Sequence, residues 1–318
     1  MYKIGFIGFG NHAARLKKCL NETIEHFEII AYHPTKRDVQ ITNDFNDICA
    51  CDFVFITSPN ETHFSYLKKL IKRSNAKIFC EKPPCVSVSE LDYLLRLNPE
   101  IKGKIFFNFN YRYSNLCQLI KSSVADGKIG AVVNIVGVLS HGLAFKEGYP
   151  SSWRGKYPIG KSVVLDTSLI HLIDLCSYAL GESLEIKYVS GKSFKHGLDS
   201  FFVGLETVNK VNISLFGSYA APYCFSLQIL GTDGLIEAND TSLVLKAPRD
   251  TFNEEGFFIT PPEYYRDEYS FEVDYQSSLQ AAVNAFLTLA LSGESCSIVD
   301  FDLSLKTTKL VLDAQLSQ

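Results

Sequence analysis

The side chains of this chain best suited by type and neighbourhood to move a proton are Lys82, set between Glu81 and Pro83, and His171, set in an apolar run. A lysine buried beside a cation has a depressed pKa and can clamp or protonate a substrate oxygen, while a neutral imidazole can take a hydroxyl proton as hydride leaves the same carbon. A cis or strained backbone at Pro83 would aim the lysine into a cleft. Asp174 follows His171 by three residues, so on a helix it shares a face with the imidazole and can orient or charge-balance it. A third feature suits an anion. Gly8-Phe9-Gly10-Asn11-His12-Ala13 follows a short apolar run, Tyr2 to Ile7, and opens a helical pattern at Asn11. Glycines at 8 and 10 permit a tight turn and let a pyrophosphate approach the helix N-terminus, where open amides and the helix dipole favour negative charge.

These groups need a scaffold that brings strand ends together, and the first third of the chain has its pattern. Strand-like runs at 2 to 7, 27 to 32, 52 to 57, 77 to 80 and 103 to 108 alternate with helical patterns at 11 to 20, 61 to 73 and 87 to 97. That alternation predicts a parallel doubly wound sheet, with Ser87 or Ser89 capping the last of these helices. Thr57-Ser58-Pro59-Asn60 then falls at the carboxyl edge of the sheet, where ligands bind in this architecture, with His63 one helical turn on. After Tyr113 the pattern changes. A helix at about 115 to 126, a strand at 131 to 140 and a helix at about 166 to 179 precede apolar alternations at 184 to 193, 200 to 207, 210 to 218, 223 to 230, 233 to 238 and 242 to 246, and helical patterns at about 273 to 292 and 302 to 316 close the chain. The expectation is a Rossmann domain over 1–113 and an α+β domain over 114–318 built on an open, mainly antiparallel sheet, the last helix packing back on the first domain.

Composition removes other functions. The 318 residues suffice for two cores, 46% are apolar and 21% charged, and a net charge of −4 with scattered Lys and Arg gives no footprint for nucleic acid. The N-terminus enters a strand without a signal-like segment, and no apolar run reaches the roughly 18 residues that span a bilayer. Nine cysteines at irregular spacings form neither a disulfide framework nor a zinc pattern, so they read as reduced packing residues of a cytoplasmic protein, and no metal is expected.

The ordered set of motifs, Gly8 to Ala13, Phe55 to His63, Glu81-Lys82-Pro83, Asn110-Tyr111-Arg112, Trp153-Arg154, Asp166, His171 to Asp174 and Gly231 to Gly234, resembles the glucose-fructose oxidoreductase and inositol dehydrogenase (Gfo/Idh/MocA) family over nearly the whole chain. The resemblance implies a bound nicotinamide cofactor and usually a sugar, sugar-nucleotide or cyclitol substrate oxidised or reduced at a secondary alcohol or ketone. Lys82, His171 and Asp166 are the implied catalytic groups; Tyr111, Trp153 and Arg154 join them around the substrate. Gly8, Phe9, Gly10, Asn11, His12, Thr57, Ser58, Pro59, Asn60, His63, Glu81, Lys82 and Arg112 would face the cofactor. One departure stands out. Relatives place histidine four residues after the aspartate, whereas His171 lies five after Asp166, so either one residue is inserted or Thr167 takes the acidic position.

Nucleotide preference rests on the end of the second strand. An NAD enzyme carries an acid there, about 20 residues past the glycine turn. This chain reads Ala31-Tyr32-His33-Pro34-Thr35-Lys36-Arg37, and Thr35, Lys36 and Arg37, beside His33, suit a 2′-phosphate, which favours NADP(H) over NAD(H). A reductase of a non-carbohydrate substrate and a catalytically silent nucleotide-binding regulator are the alternatives; the presence of both Lys82 and His171 argues against the regulator. The aromatic and charged segment 248 to 271 suits a pocket or a neighbouring subunit equally. The free face of the second sheet, with patterns such as Val211 to Phe216 and Phe225 to Ile229, predicts a homodimer or a dimer of dimers.

Overall fold

The computed structural model describes residues 1–35, 41–158, 160–249 and 252–317. The chain divides into two compact units, Met1–Asn110 with Leu279–Leu312, and Tyr111–Ser278 with Asp313–Gln318.

In the first unit, β1 (Tyr2–Ile7), β2 (Phe27–Tyr32), β3 (Ile41–Thr42), β4 (Phe53–Ile56), β5 (Lys77–Glu81) and β6 (Ile105–Asn108) form one parallel sheet in the order β3-β2-β1-β4-β5-β6. Helices α1 (Asn11–Thr23), α2 (Phe45–Cys49), α3 (Asn60–Arg73), α4 (Val88–Leu95) and α5 (Pro99–Lys102) provide the crossovers. Strand order reverses between β1 and β4, which puts the ligand-binding crevice of a doubly wound sheet beside their carboxyl ends. The central strands are buried on both faces, which is why they read as continuous apolar runs. A ladder of stacked rings, Phe6–Phe55 at 5.0 Å, Phe55–Phe79 at 4.8 Å and Phe79–Phe106 at 5.3 Å, crosses β1, β4, β5 and β6. Phe286 of α8 (Phe271–Ser292) meets Phe55 and Phe79 edge-on at 5.5 and 5.4 Å, the quadrupole-favoured geometry for a ring against stacked neighbours.

The second unit holds α6 (Asn115–Ala125), α7 (Ile170–Leu180) and an eight-stranded sheet of β7 (Val132–Ser140), β8 (Leu184–Lys192), β9 (Ser200–Thr207), β10 (Asn212–Ser218), β11 (Cys224–Gly231), β12 (Leu235–Asn239), β13 (Ser242–Lys246) and β14 (Glu263–Glu268). Its order is β14-β13-β12-β11-β7-β10-β9-β8, antiparallel throughout except for the parallel β7–β10 pair. The aromatic and charged segment 248 to 271 supplies β14, an edge strand with every residue exposed. The final helix, α9, runs Ile298–Leu316 and is counted with the first unit up to Leu312.

One expectation about the sheet face needs correction. Val211, Ile213, Leu215, Phe225, Leu227 and Ile229, read from the sequence as apolar groups a single chain would expose, are all buried within it. Their strands alternate, so these residues share the inward face, and the open face carries Val136, Phe202 and Phe216 among polar neighbours. All nine cysteines are free and seven are buried, while Cys224 is exposed and is no packing residue. Among the described residues no helix is long and apolar enough to cross a membrane.

Candidate active site

At the end of β1, Gly8 has φ +85°, and a Cβ there would stand 2.7 Å from the Cα of Ser58, so the turn after β1 lies against the turn after β4 as only glycine allows. Thr57 fastens the two turns, its N–H donating to Ile7 O at 2.9 Å and its hydroxyl to Gly8 O at 2.5 Å. Gly10 is the N-cap of α1 without a side-chain cap, and a Cβ on it would meet nothing within 4 Å. The helix N-terminus is therefore uncapped behind open space, which fits a diphosphate. Phe9 and Asn11 are exposed beside it. Pro59 is the N-cap of α3, so Asn60 is its first residue and not its cap. Asn60 is buried and its Nδ2 has no hydrogen-bond partner, a donor that fits a ligand acceptor.

Glu81 ends β5 at the same edge, Lys82 and Pro83 follow it, and the Lys82–Pro83 peptide is cis. Glu81 is buried, its Oε1 2.7 Å from His12 Nε2 and accepting from Asn108 Nδ2 at 2.7 Å. Burial raises its pKa, but the His12 charge and the two hydrogen bonds outweigh that and hold it below the usual carboxylate value. His12, expected at the cofactor, thus joins the glycine turn to the lysine motif. His63 is likewise turned inward. At 1% exposure, its Nδ1 is 2.8 Å from Pro83 O and its Nε2 2.7 Å from Ser58 O, bracing the turn after β4 against the turn after β5. Burial holds its pKa below the ordinary 6.5. His33 Nδ1 accepts from the Thr35 amide at 3.2 Å beyond β2; Lys36 and Arg37 lie outside the described residues.

In the second unit the rings of Tyr111 and His171 stack at 4.4 Å and 15°, both buried, and burial pushes the Tyr111 phenol well up. Asp174, expected to serve His171, gives both carboxylate oxygens to Arg112: Nε donates to Oδ2 and Nη2 to Oδ1, each at 2.7 Å. Arg112, expected at the cofactor, is 4% exposed in this pair, and a buried guanidinium is held there by such a bidentate partner. Asp166 is buried and accepts from the phenol of Tyr157. The Arg154 guanidinium lies 4.3 Å over the Trp153 ring. Tyr157 and Asn108 were missed by the sequence reading; neither belongs to a spacing pattern, and only the fold brings each to its carboxylate.

An oxidoreductase family model with an NAD-binding Rossmann fold matches residues 2–109, and the GFO/IDH/MocA C-terminal domain matches 117–237. The chain belongs to the Gfo/Idh/MocA family. Among curated relatives, an oxidoreductase of Bacillus subtilis, YteT, is 29% identical over 153 residues, which span 47% of this chain and 34% of that relative. The inositol 2-dehydrogenase of Rhizobium meliloti is 24% identical over 258 residues, 76% of this chain and 73% of that enzyme. The crystal structure of apo scyllo-inositol dehydrogenase from Lactobacillus casei superposes with a TM-score of 0.77 at 20% identity, covering 100% of this chain and 96% of the other. As a Gfo/Idh/MocA chain it is an NAD-binding oxidoreductase, and the Gly8–Gly10 turn lies in the matched Rossmann segment.

Proposed function

We propose that this Gfo/Idh/MocA chain moves hydride between a nicotinamide dinucleotide and a secondary alcohol or ketone of a cyclitol, sugar or sugar nucleotide. The observation that carries the reading is the carboxyl edge of the parallel sheet, where an uncapped α1 N-terminus, an unpartnered Asn60 Nδ2 and Lys82 stand at neighbouring strand ends. The backbone at Gly8 and Gly10 and the first amides of α1 would hold the diphosphate, Ser58 and Asn60 would flank it, and His33, Thr35, Lys36 and Arg37 would receive the adenosine ribose, NADP(H) being favoured. When bound, the nicotinamide takes up or delivers the hydride. Lys82 clamps the reacting oxygen, and His171 takes the hydroxyl proton on oxidation and returns it on reduction, so hydride and proton are each accounted for. Asp166 binds substrate beside His171. The inositol dehydrogenases among the relatives support a polyol.

The test is to incubate the purified protein with cyclitols, sugars and sugar nucleotides and either nucleotide, following the absorbance of the reduced nicotinamide. Lys82→Ala should abolish turnover while nucleotide affinity and fold survive. More than a tenth of wild-type turnover in that variant would overturn the role of Lys82.

A further inference from the structure

His171 lies five positions after Asp166, and on a regular α-helix such a pair points to different sides, because each residue turns the chain through about 100°. Here the backbone is not regular. Leu165–Leu169 is a π-helical turn leading directly into α7, and Ile170 N–H donates to Leu165 O, five residues back. In a turn closed that way, residues five apart take the relation that residues four apart have in an α-helix. The turn sits directly on the sheet: a Cβ at Gly217 of β10 would stand 2.8 Å from Leu169 Cγ and from Val164 Cγ1. Thr167, inside the turn, directs its hydroxyl to Val163 O and the Tyr219 phenol, and Tyr219 is buried against the His141 ring at 4.5 Å. Asp166 points elsewhere and accepts from Tyr157.

We propose that the additional residue is absorbed by this π turn, so that Asp166 keeps the acidic position beside His171, Thr167 is a packing hydroxyl tied to Tyr219, and Tyr157 is the positioning residue of the Asp166 carboxylate. The inference rests on the reading of Asp166 and His171 as substrate-site residues. A phenol donating to one carboxylate oxygen fixes the side-chain rotamer and favours the ionised form.

Two measurements on Asp166→Asn, Tyr157→Phe and Thr167→Val decide it. The first is turnover of the best polyol: D166N should lower kcat/KM by roughly 10²-fold, the scale of a lost proton-handling or orienting group, while T167V stays within a few-fold of wild type. The reverse order, or an unchanged D166N, overturns the register. The second needs no substrate. In carbon NMR of the side-chain carboxyls, assigned by the signal missing from D166N, Y157F should raise the Asp166 midpoint by about one pH unit and T167V should leave it in place. An unmoved midpoint in Y157F overturns the positioning role. If the wild type turns over no polyol or sugar, the functional reading fails, and the carboxyl titration still decides the Tyr157 pairing.

Discussion

Removing one half of the Arg112–Asp174 pair should be the most destabilising single change near the site. Asp174 is 0% exposed and Arg112 4%, and both hydrogen bonds are 2.7 Å long, so water cannot replace either partner. Asp174→Ala leaves a guanidinium buried without its carboxylate, which costs about 3–5 kcal/mol where such pairs have been broken. For a folding unit of this size each kcal/mol lowers Tm by roughly 2–4 °C, so the expected fall is about 6–20 °C. Arg112→Met leaves the carboxylate stranded and should cost about as much. The double variant Arg112→Met/Asp174→Leu removes both charges and keeps the volume apolar, so it should recover most of the loss. Urea unfolding followed by a probe in the second unit measures all three, with the m-value checking that one transition is seen. Single variants costing under about 1 kcal/mol, or a double variant that loses the sum of both, would refute the view that the pair is a closed, desolvated unit.

The other predictions concern nucleotide choice, pH and assembly. If Lys36 and Arg37 clamp a 2′-phosphate, changing both to alanine should weaken NADPH by roughly 2–5 kcal/mol in calorimetric titration and leave NADH nearly unchanged; equal weakening of both rejects the clamp. His63 has a folded pKa below its ordinary 6.5, chiefly through burial, so the unfolded chain binds the proton more readily and stability present above 6.5 is lost as pH falls towards the folded pKa. Melting of the wild type should therefore fall on acidification below about pH 6.5, and His63→Gln should flatten that slope; parallel slopes would exclude His63 as the cause. Through its open sheet face the chain should self-associate, and light scattering at micromolar concentration that returns only the 35.6 kDa chain mass would contradict this.

What the sequence disclosed follows how local each cause is. The β1-turn-α1 segment, the central strands and the Ser87 cap, which accepts from the Glu90 amide, were legible because buried runs, glycines and caps act over a few neighbours. β14 was not, since Glu263 to Glu268 has no apolar alternation and becomes a strand only by pairing with β13. The short β3, α2 and α5, of two, five and four residues, were missed because segments that brief hold too few positions to show a period. At the site, the identities of Lys82, Asp166 and His171 stood out, but the partners did not. Arg112 with Asp174, Glu81 with His12 and Asn108, and His63 with two carbonyls are tertiary arrangements of residues 5 to 69 positions apart, which no spacing rule encodes. The π turn showed only as one surplus residue, whose remedy depended on what the helix rests upon.

Strand β7 precedes every other strand of its sheet yet ends between β10 and β11. One ladder joins it to Asn212–Ser218 and the other to Cys224–Gly231, so each closes a chain loop of dozens of residues, while β8-β9-β10 and β11-β12-β13-β14 are meanders of near neighbours. The meanders can form by short closures, but the two halves become one sheet only when β7 is seated between them, since the Tyr219–Tyr223 link leads from β10 past it to β11. During synthesis β7 leaves the ribosome first and carries two unsatisfied edges until the strands that flank it exist. A peptide that imitates Val132–Ser140 would compete for that slot, which makes the middle of the sheet, not its exposed margin, the place where assembly of this unit is most open to interference.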